Sequence, residues 1–190
     1  EDHIGATPYV LAKVPAPIFG TRLTLALIES KLREHRVTGI EAVTVAPRQT
    51  IQLGCFSIQF IRVNHSIADA CALAITSPAG TVVHTGDFKI DFTPPDGEVT
   101  DLSALAAVGD RGVLALLADS TNVERAGYTM SERTVAQTFA EQISTATGRV
   151  IIAMFSSNIN RVQQVVTCAL QYGRKVCFVG RSMVNTSTVA

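Results

Sequence analysis

Toward its C-terminal end the chain has a strand-like run at 150–155, then a helical run at 158–172 stopped by Gly173. A second strand-like run follows at 175–179. Two strands joined through a single helix pair in parallel, because the helix has to carry the chain back along the sheet. This order commits that end of the chain to an α/β layer with a parallel sheet. Just upstream, Thr129-Met130-Ser131-Glu132 fits a capping box and predicts a helix running to about Gly148.

The first 125 or so residues have another character. The segment 21–32 carries apolar residues at helical spacing and ends in basic residues, which suit a helix C-terminus. Ile18, Leu25 and Leu32 are expected on its buried side, with Leu27 and Ile28 nearby. Short β-rich runs follow at 41–45, 57–64, 71–76 and 81–84, and Ser77-Pro78-Ala79-Gly80 separates the last two as a hairpin turn would. The uninterrupted apolar run 112–118 reads as a strand buried on both faces. A mixed, β-rich layered unit therefore precedes the start of an α/β unit.

With 47% hydrophobic and 17% charged residues, the 190-residue chain is not a disordered polymer. Sixteen basic residues balance sixteen acidic ones. That balance argues against a binder that neutralises many phosphates, though not against an enzyme drawing affinity from a metal. No apolar run reaches the length of a membrane span, so no membrane partner is expected. The chain opens at Glu1 without an initiator Met and closes shortly after a strand-like run, so it reads as an internal fragment. None of its four cysteines forms a Cys-x-x-Cys pair, which disfavours a thiolate zinc knuckle. Cys71, Cys168 and Cys177 lie in apolar runs, where free Cys behaves as a small hydrophobe. Reduced thiols and a cytoplasmic location are the expectation.

Four places put a ligand-type side chain just after a strand or turn: Asp2-His3, Asn64-His65-Ser66, Thr85-Gly86-Asp87 and Ala118-Asp119-Ser120. Rigid strands with open ends are where sheet proteins gather functional groups. Imidazole with carboxylate suits zinc or manganese, and a carboxylate can bridge two metals. Each place also has an ordinary reading. Asp2-His3 could be a cap or a solvated pair, His65 a hydrogen-bonded histidine, Gly86-Asp87 a turn, and Asp119 an N-cap. Spacing alone does not join them. His35 suits the basic end of its helix, and His84 reads as a strand residue or a support behind a ligand. Lys89, Arg125 and Arg161 could meet phosphate, or could be solvated charges.

The strings Glu1-Asp2-His3-Ile4-Gly5-Ala6, Val63-Asn64-His65-Ser66-Ile67-Ala68-Asp69-Ala70 and His84-Thr85-Gly86-Asp87-Phe88-Lys89-Ile90-Asp91 strongly resemble ribonuclease J. That family belongs to the β-CASP branch of the metallo-β-lactamase superfamily. Leu117-Ala118-Asp119-Ser120-Thr121-Asn122, Phe155-Ser156-Ser157-Asn158-Ile159 and Gly180-Arg181-Ser182-Met183 continue the resemblance in order. It implies part of a metallo-β-lactamase αβ/βα sandwich over 1–128, then the start of an inserted β-CASP α/β domain with a parallel sheet over 129–190. It also implies a zinc-dependent ribonuclease with two Zn2+ per intact site, Mn2+ or Mg2+ being alternatives. Asp2, His3, His65 and Asp87 would be metal ligands, with Asp87 bridging the two metals. Asp2 and Asp87, together with Asp119, would be the catalytic carboxylates, Asp119 orienting a histidine further along. Ser156, Ser157 and Asn158 would cradle an RNA phosphate at a helix N-terminus.

Only four of the family's seven usual ligand positions fall in this chain, which by itself is expected to be inactive. The full-length protein would hydrolyse RNA from the 5′ end, internally, or both, in RNA processing and decay, as a homodimer or homotetramer. Two other readings compete. One is a different metallo-β-lactamase-fold hydrolase, disfavoured by the β-CASP-like strings. The other is a noncatalytic RNA-binding or scaffolding paralogue, disfavoured by Asp2, His3, His65 and Asp87.

Overall fold

The computed structural model describes residues 3–189. Helix α1 (Thr7–Lys13) carries Pro8 in its first turn, where a missing N–H costs no helical hydrogen bond. Strand β1 (Ile18–Gly20), helix α2 (Arg22–Glu34) and strand β2 (Ala42–Thr44) follow, and β1 pairs with β2 in parallel. Leu25, Ile28 and Leu32 form the buried stripe of α2. Ile28 and Leu32 meet Leu11 of α1 in one small core, against which Ile4, Ile18, Val37 and Ile40 also pack. Ile18 thus joins this core from β1 and not from the helix face.

The main sheet has the order β3-β4-β5-β6-β7. Its strands are β3 (Thr50–Leu53), β4 (Phe56–Arg62), β5 (Cys71–Ser77), β6 (Gly80–His84) and β7 (Ala115–Leu117). The first four pair antiparallel, and β7 adds in parallel to β6. Ser77 pairs with Gly80 across the expected hairpin turn, and Gly80 takes a φ of 137°. Helix α3 (Leu102–Asp110) buries Ala104 and Val108 against Ile61, Val63, Ala72, Ala74 and Val83. Small alanines on β5 leave room for the helix on that face. Its N-terminus is fixed by Asp101, whose Oδ1 accepts from the Ala104 N–H at 3.0 Å. Arg48 grips the same carboxylate, Nε to Oδ2 at 2.6 Å and Nη2 to Oδ1 at 3.0 Å.

Three helices complete the chain: α4 (Arg133–Thr145), α5 (Ile159–Gln171) and α6 (Arg181–Val189). Helices α4 and α5 pack together, and α6 contacts α2. The fold is mixed α/β, with both parallel and antiparallel pairing.

Three expectations need correcting. Residues 150–155 and 175–179 run without strand pairing, and Ile151, Phe155 and Val179 are each more than four-fifths exposed. Both segments line an apolar trough beside α4 and α5 and exchange no ladder hydrogen bonds. Parallel strand–helix–strand units lie instead at β1-α2-β2 and at β6-α3-β7. The run 112–118 yields only the three residues of β7, all exposed, because β7 is the sheet edge and no described element covers it. The capping box at 129–132 also does not form. Helix α4 stops at Thr145, and Glu132 turns its carboxylate away from the helix end to Arg161 and Lys89. The cap comes from Asp91, whose Oδ2 accepts from the Ser131 hydroxyl at 3.0 Å and the Glu132 N–H at 3.2 Å.

Candidate metal and phosphate site

The ends of β4 and β6 hold the centre of the site. Beyond β4 the buried Asn64 fixes the loop: its N–H donates to Thr100 Oγ1, and its Oδ1 accepts from the Thr100 N–H, both at 2.9 Å. A backbone bridge between Asn64 and Lys89 ties this loop to the segment after β6. His65 therefore comes to lie beside Asp87. Gly86, at φ 59°, turns the chain so that Asp87 faces the loop, and a Cβ there would meet the Cys71 carbonyl at 3.4 Å.

His3 Nε2 lies 3.1 Å from Asp87 Oδ1, and His65 Nε2 lies 3.7 Å from Asp87 Oδ2. Each carboxylate oxygen thus faces a different imidazole. Donor atoms sharing a tetrahedral zinc at ordinary bond lengths stand about 3.3 Å apart, so each separation fits one imidazole and the Asp87 oxygen it faces around a single cation. Among the described residues, no group of three or more His, Cys, Asp or Glu converges on a single point. Asp2 lies outside the described residues. Burial lowers the His65 pKa against the opposing pull of Asp87 and Asp119, which keeps its imidazole neutral and able to coordinate. Cys71 lines the same cavity, but burial pushes its thiol up to about 11, so it offers no thiolate near neutral pH.

Asp119 follows β7, adjacent to β6. Its Oδ1 accepts from the Thr121 hydroxyl at 2.6 Å and the Thr121 N–H at 2.9 Å, while Phe88 N–H approaches Oδ2 at 3.4 Å. Those bonds, Thr121's hydroxyl foremost, hold its carboxyl below the ordinary range. No helix starts at Asp119, so its N-cap reading does not hold. Thr85 also joins the two aspartate loops. The hydroxyl of buried Thr85 donates to the Gly86 carbonyl at 2.7 Å and accepts the Asp119 N–H at 2.9 Å. His84 supports the same turn, its Nδ1 accepting the Gly86 N–H at 3.0 Å.

His3, His65 and Asp87 line a cavity of about 720 Å³. Ser156 and Ser157 reach it from the turn before α5, and Arg181 and Ser182 from the start of α6. Asn158 is buried as the N-cap of α5, its Oδ1 accepting the Arg161 N–H at 3.0 Å. Its side-chain oxygen is therefore occupied, which leaves the two serines facing the cavity. Arg161 and Lys89 are not open to phosphate either, since both bind Glu132.

Sequence reasoning did not single out Thr85, or the cavity position of Arg181. Thr85 has no local signature, because its partners are a peptide carbonyl and an amide 34 positions away. Arg181 stands in a string that carried the family resemblance, and that was its only signal.

The family model described as "Ribonuclease J, beta-CASP domain" matches residues 147–190. The chain is 47% identical over 192 residues to ribonuclease J of Helicobacter pylori (strain J99 / ATCC 700824), covering 100% of this chain and 28% of that protein. It is 48% identical over 191 residues to ribonuclease J of Mycobacterium tuberculosis (strain CDC 1551 / Oshkosh), covering 100% and 34%. With ribonuclease J of Thermus thermophilus the identity is 45% over 198 residues, covering 100% and 35%. The chain thus spans about a third of the length of these curated relatives. The fold is similar to the crystal structure of a protein of unknown function from Enterococcus faecalis V583. That match has a TM-score of 0.61 at 15% identity, over 80% of this chain and 39% of the other.

Proposed function

Because the chain belongs to the ribonuclease J family, we propose that it supplies part of the active site of a metal-dependent ribonuclease. The observation that carries this reading is the division of Asp87 between His3 and His65 on the wall of a cavity that also holds Ser156 and Ser157. A carboxylate with one imidazole at each oxygen is arranged to serve two cations at once.

His3, His65 and Asp87 would hold zinc, with Asp2 beside them. Bound zinc supplies a water acidic enough to attack a phosphodiester near neutral pH, and positive charge for the oxygen that departs. The chain's own contribution is positioning. Thr85 fixes the Asp87 and Asp119 loops against each other. Ser156 and Ser157, before the N-terminus of α5, present a hydroxyl-bearing turn to a neighbouring RNA phosphate. Arg181 adds a cation to the same wall. Asp119 is ionised, consistent with orienting a basic side chain.

The test is hydrolysis of a 5′-labelled RNA by the full-length protein, with and without a chelator, beside the Asp87→Asn variant. Loss of cleavage in both cases, with cleavage restored by zinc or manganese only in the unmutated protein, is the expected outcome. RNA binding that survives chelation with no cleavage under any condition would make the protein a scaffold.

A further inference from the structure

Between the Asp87 turn and the Ser156–Ser157 turn runs a continuous set of side-chain contacts that takes no part in metal or phosphate binding. Lys89, two residues past Asp87, extends its Nζ to Glu132 Oε1 at 3.3 Å. Asp91 caps the N-terminus of α4 through Ser131 and the Glu132 N–H. The Glu132 carboxylate then receives Arg161 of α5, Nη2 to Oε2 at 2.8 Å and to Oε1 at 2.9 Å, with Nε to Oε2 at 3.3 Å. The Arg161 N–H closes on the Asn158 cap, and Asn158 directly follows Ser157. Gln164, one turn further along α5, donates to the Glu132 carbonyl at 3.2 Å.

Within this path Glu132 is the acid that touches both sides, Lys89 on one and Arg161 on the other. Its side chain is only 14% exposed. Burial acts to raise its pKa, but Arg161's hydrogen bonds and Lys89's charge outweigh that and hold it low. A partly buried carboxylate gripped by a bidentate arginine has one favoured geometry, whereas a solvated pair has many. Asp91, Lys89 and Glu132 therefore do more than neutralise charge. They join the loop after β6 to the first turns of two helices.

We propose that Glu132 is a positioning residue that sets the reach from the His65–Asp87 pair to the Ser156–Ser157 turn, and with it the RNA backbone spacing the cavity accepts. The part concerning RNA rests on the ribonuclease reading, while the part concerning geometry does not. Removing the carboxylate frees Arg161 and Lys89 to find water, and α5 then moves relative to the main sheet.

The two exposed cysteines, Cys55 between β3 and β4 of the main sheet and Cys177 after α5, give one nitroxide label on the sheet and one beyond α5. With Cys71→Ala and Cys168→Ala as background, pulsed electron resonance reads the distance distribution between them. A single narrow peak is expected in the parent, and its loss in Glu132→Ala. Glu132→Gln, which keeps an acceptor oxygen, should fall between. Where circular dichroism shows that Glu132→Ala does not fold, Arg161→Lys, which keeps charge but loses the fork, gives the same reading. An unchanged peak in a folded Glu132→Ala or Arg161→Lys chain overturns the proposal.

In the full-length protein, Glu132→Ala should keep its zinc content while kcat/KM for RNA falls about 10- to 100-fold, the cost of a misplacement near 1 Å. A variant that lost zinc and thermal stability together with activity would show a merely structural residue and overturn the proposal. Absence of RNA cleavage by the unmutated protein would sink the ribonuclease reading and leave the distance measurement to judge Glu132 alone.

Discussion

Replacing Thr85 with valine removes one hydroxyl and keeps the β-branched shape of the side chain. In the folded chain that hydroxyl satisfies the Gly86 carbonyl and the Asp119 amide, at 2.7 and 2.9 Å. Thr85 itself is 8% exposed, while its partners are only partly buried, so water can reach them at some cost. A net hydrogen bond contributes about 0.5–1.5 kcal/mol, and a stranded buried partner costs about 1–3 kcal/mol. Two bonds to half-buried partners should together destabilise the chain by about 1–2 kcal/mol. For a chain of this size the melting midpoint should fall by about 2–8 °C. Urea unfolding followed by circular dichroism gives the free energy, and an unchanged slope shows that the comparison is fair. The two loops carry Asp87 and Asp119, so zinc uptake by the folded variant should weaken as well. A Thr85→Val chain with an unmoved midpoint and undiminished zinc affinity would refute the claim that this hydroxyl holds the two loops together.

Further outcomes can be checked in parallel. Asp87→Asn should lower zinc content after desalting, read by mass spectrometry, because it removes one charged donor oxygen from between His3 and His65. Asp101→Ala strips the cap from α3 and should cost about 1 kcal/mol in urea unfolding. Hydrogen bonds from Arg48 are the largest influence holding the Asp101 carboxyl well below the ordinary carboxylate range. Its stabilising effect is therefore fully present above about pH 4 and is lost as the pH falls through its lowered value. Urea midpoints of the parent should fall more steeply than those of Asp101→Asn below pH 4. Ile61→Ala empties a fully buried position under α3 and should cost about 2–5 kcal/mol in the same assay.

The sequence was most readable where structure is local. Gly173, at φ 65°, ends α5 as the punctuation predicts, whereas Asn158, expected to help hold a phosphate, caps the helix. The β5–β6 hairpin follows from Ser77-Pro78-Ala79-Gly80, and α2 from its periodic leucines. Elements that depend on distant partners were hidden. Helix α3 is a nine-residue run of mostly Ala, Leu and Val whose cap is secured by Arg48, 53 positions away. Whether 150–155 becomes a strand depends on a neighbour to pair with, which its composition cannot specify. Glu132 reads as half of a local capping box, yet its carboxylate belongs to Lys89 and Arg161. The site divides in the same way. His65 and Asp87 stood out as ligand-type residues after strands, but only a family resemblance joined them to His3. Thr85 and the Ser156–Arg181 wall depend on the folded contacts.

The free side of β7 has a consequence for how this chain behaves among its own copies. Three residues in extended conformation present unpaired backbone groups, and Leu116 and Leu117 within the strand and Leu114 just before it are each more than half exposed. Such an edge is a template on which another extended chain can dock and propagate. Between Arg111 and Asp119 the sequence offers no charge and no proline to interrupt that stacking. Only those two charges, one at each end, act as gatekeepers, so the tendency of the chain to self-associate should be governed by the salt that screens them.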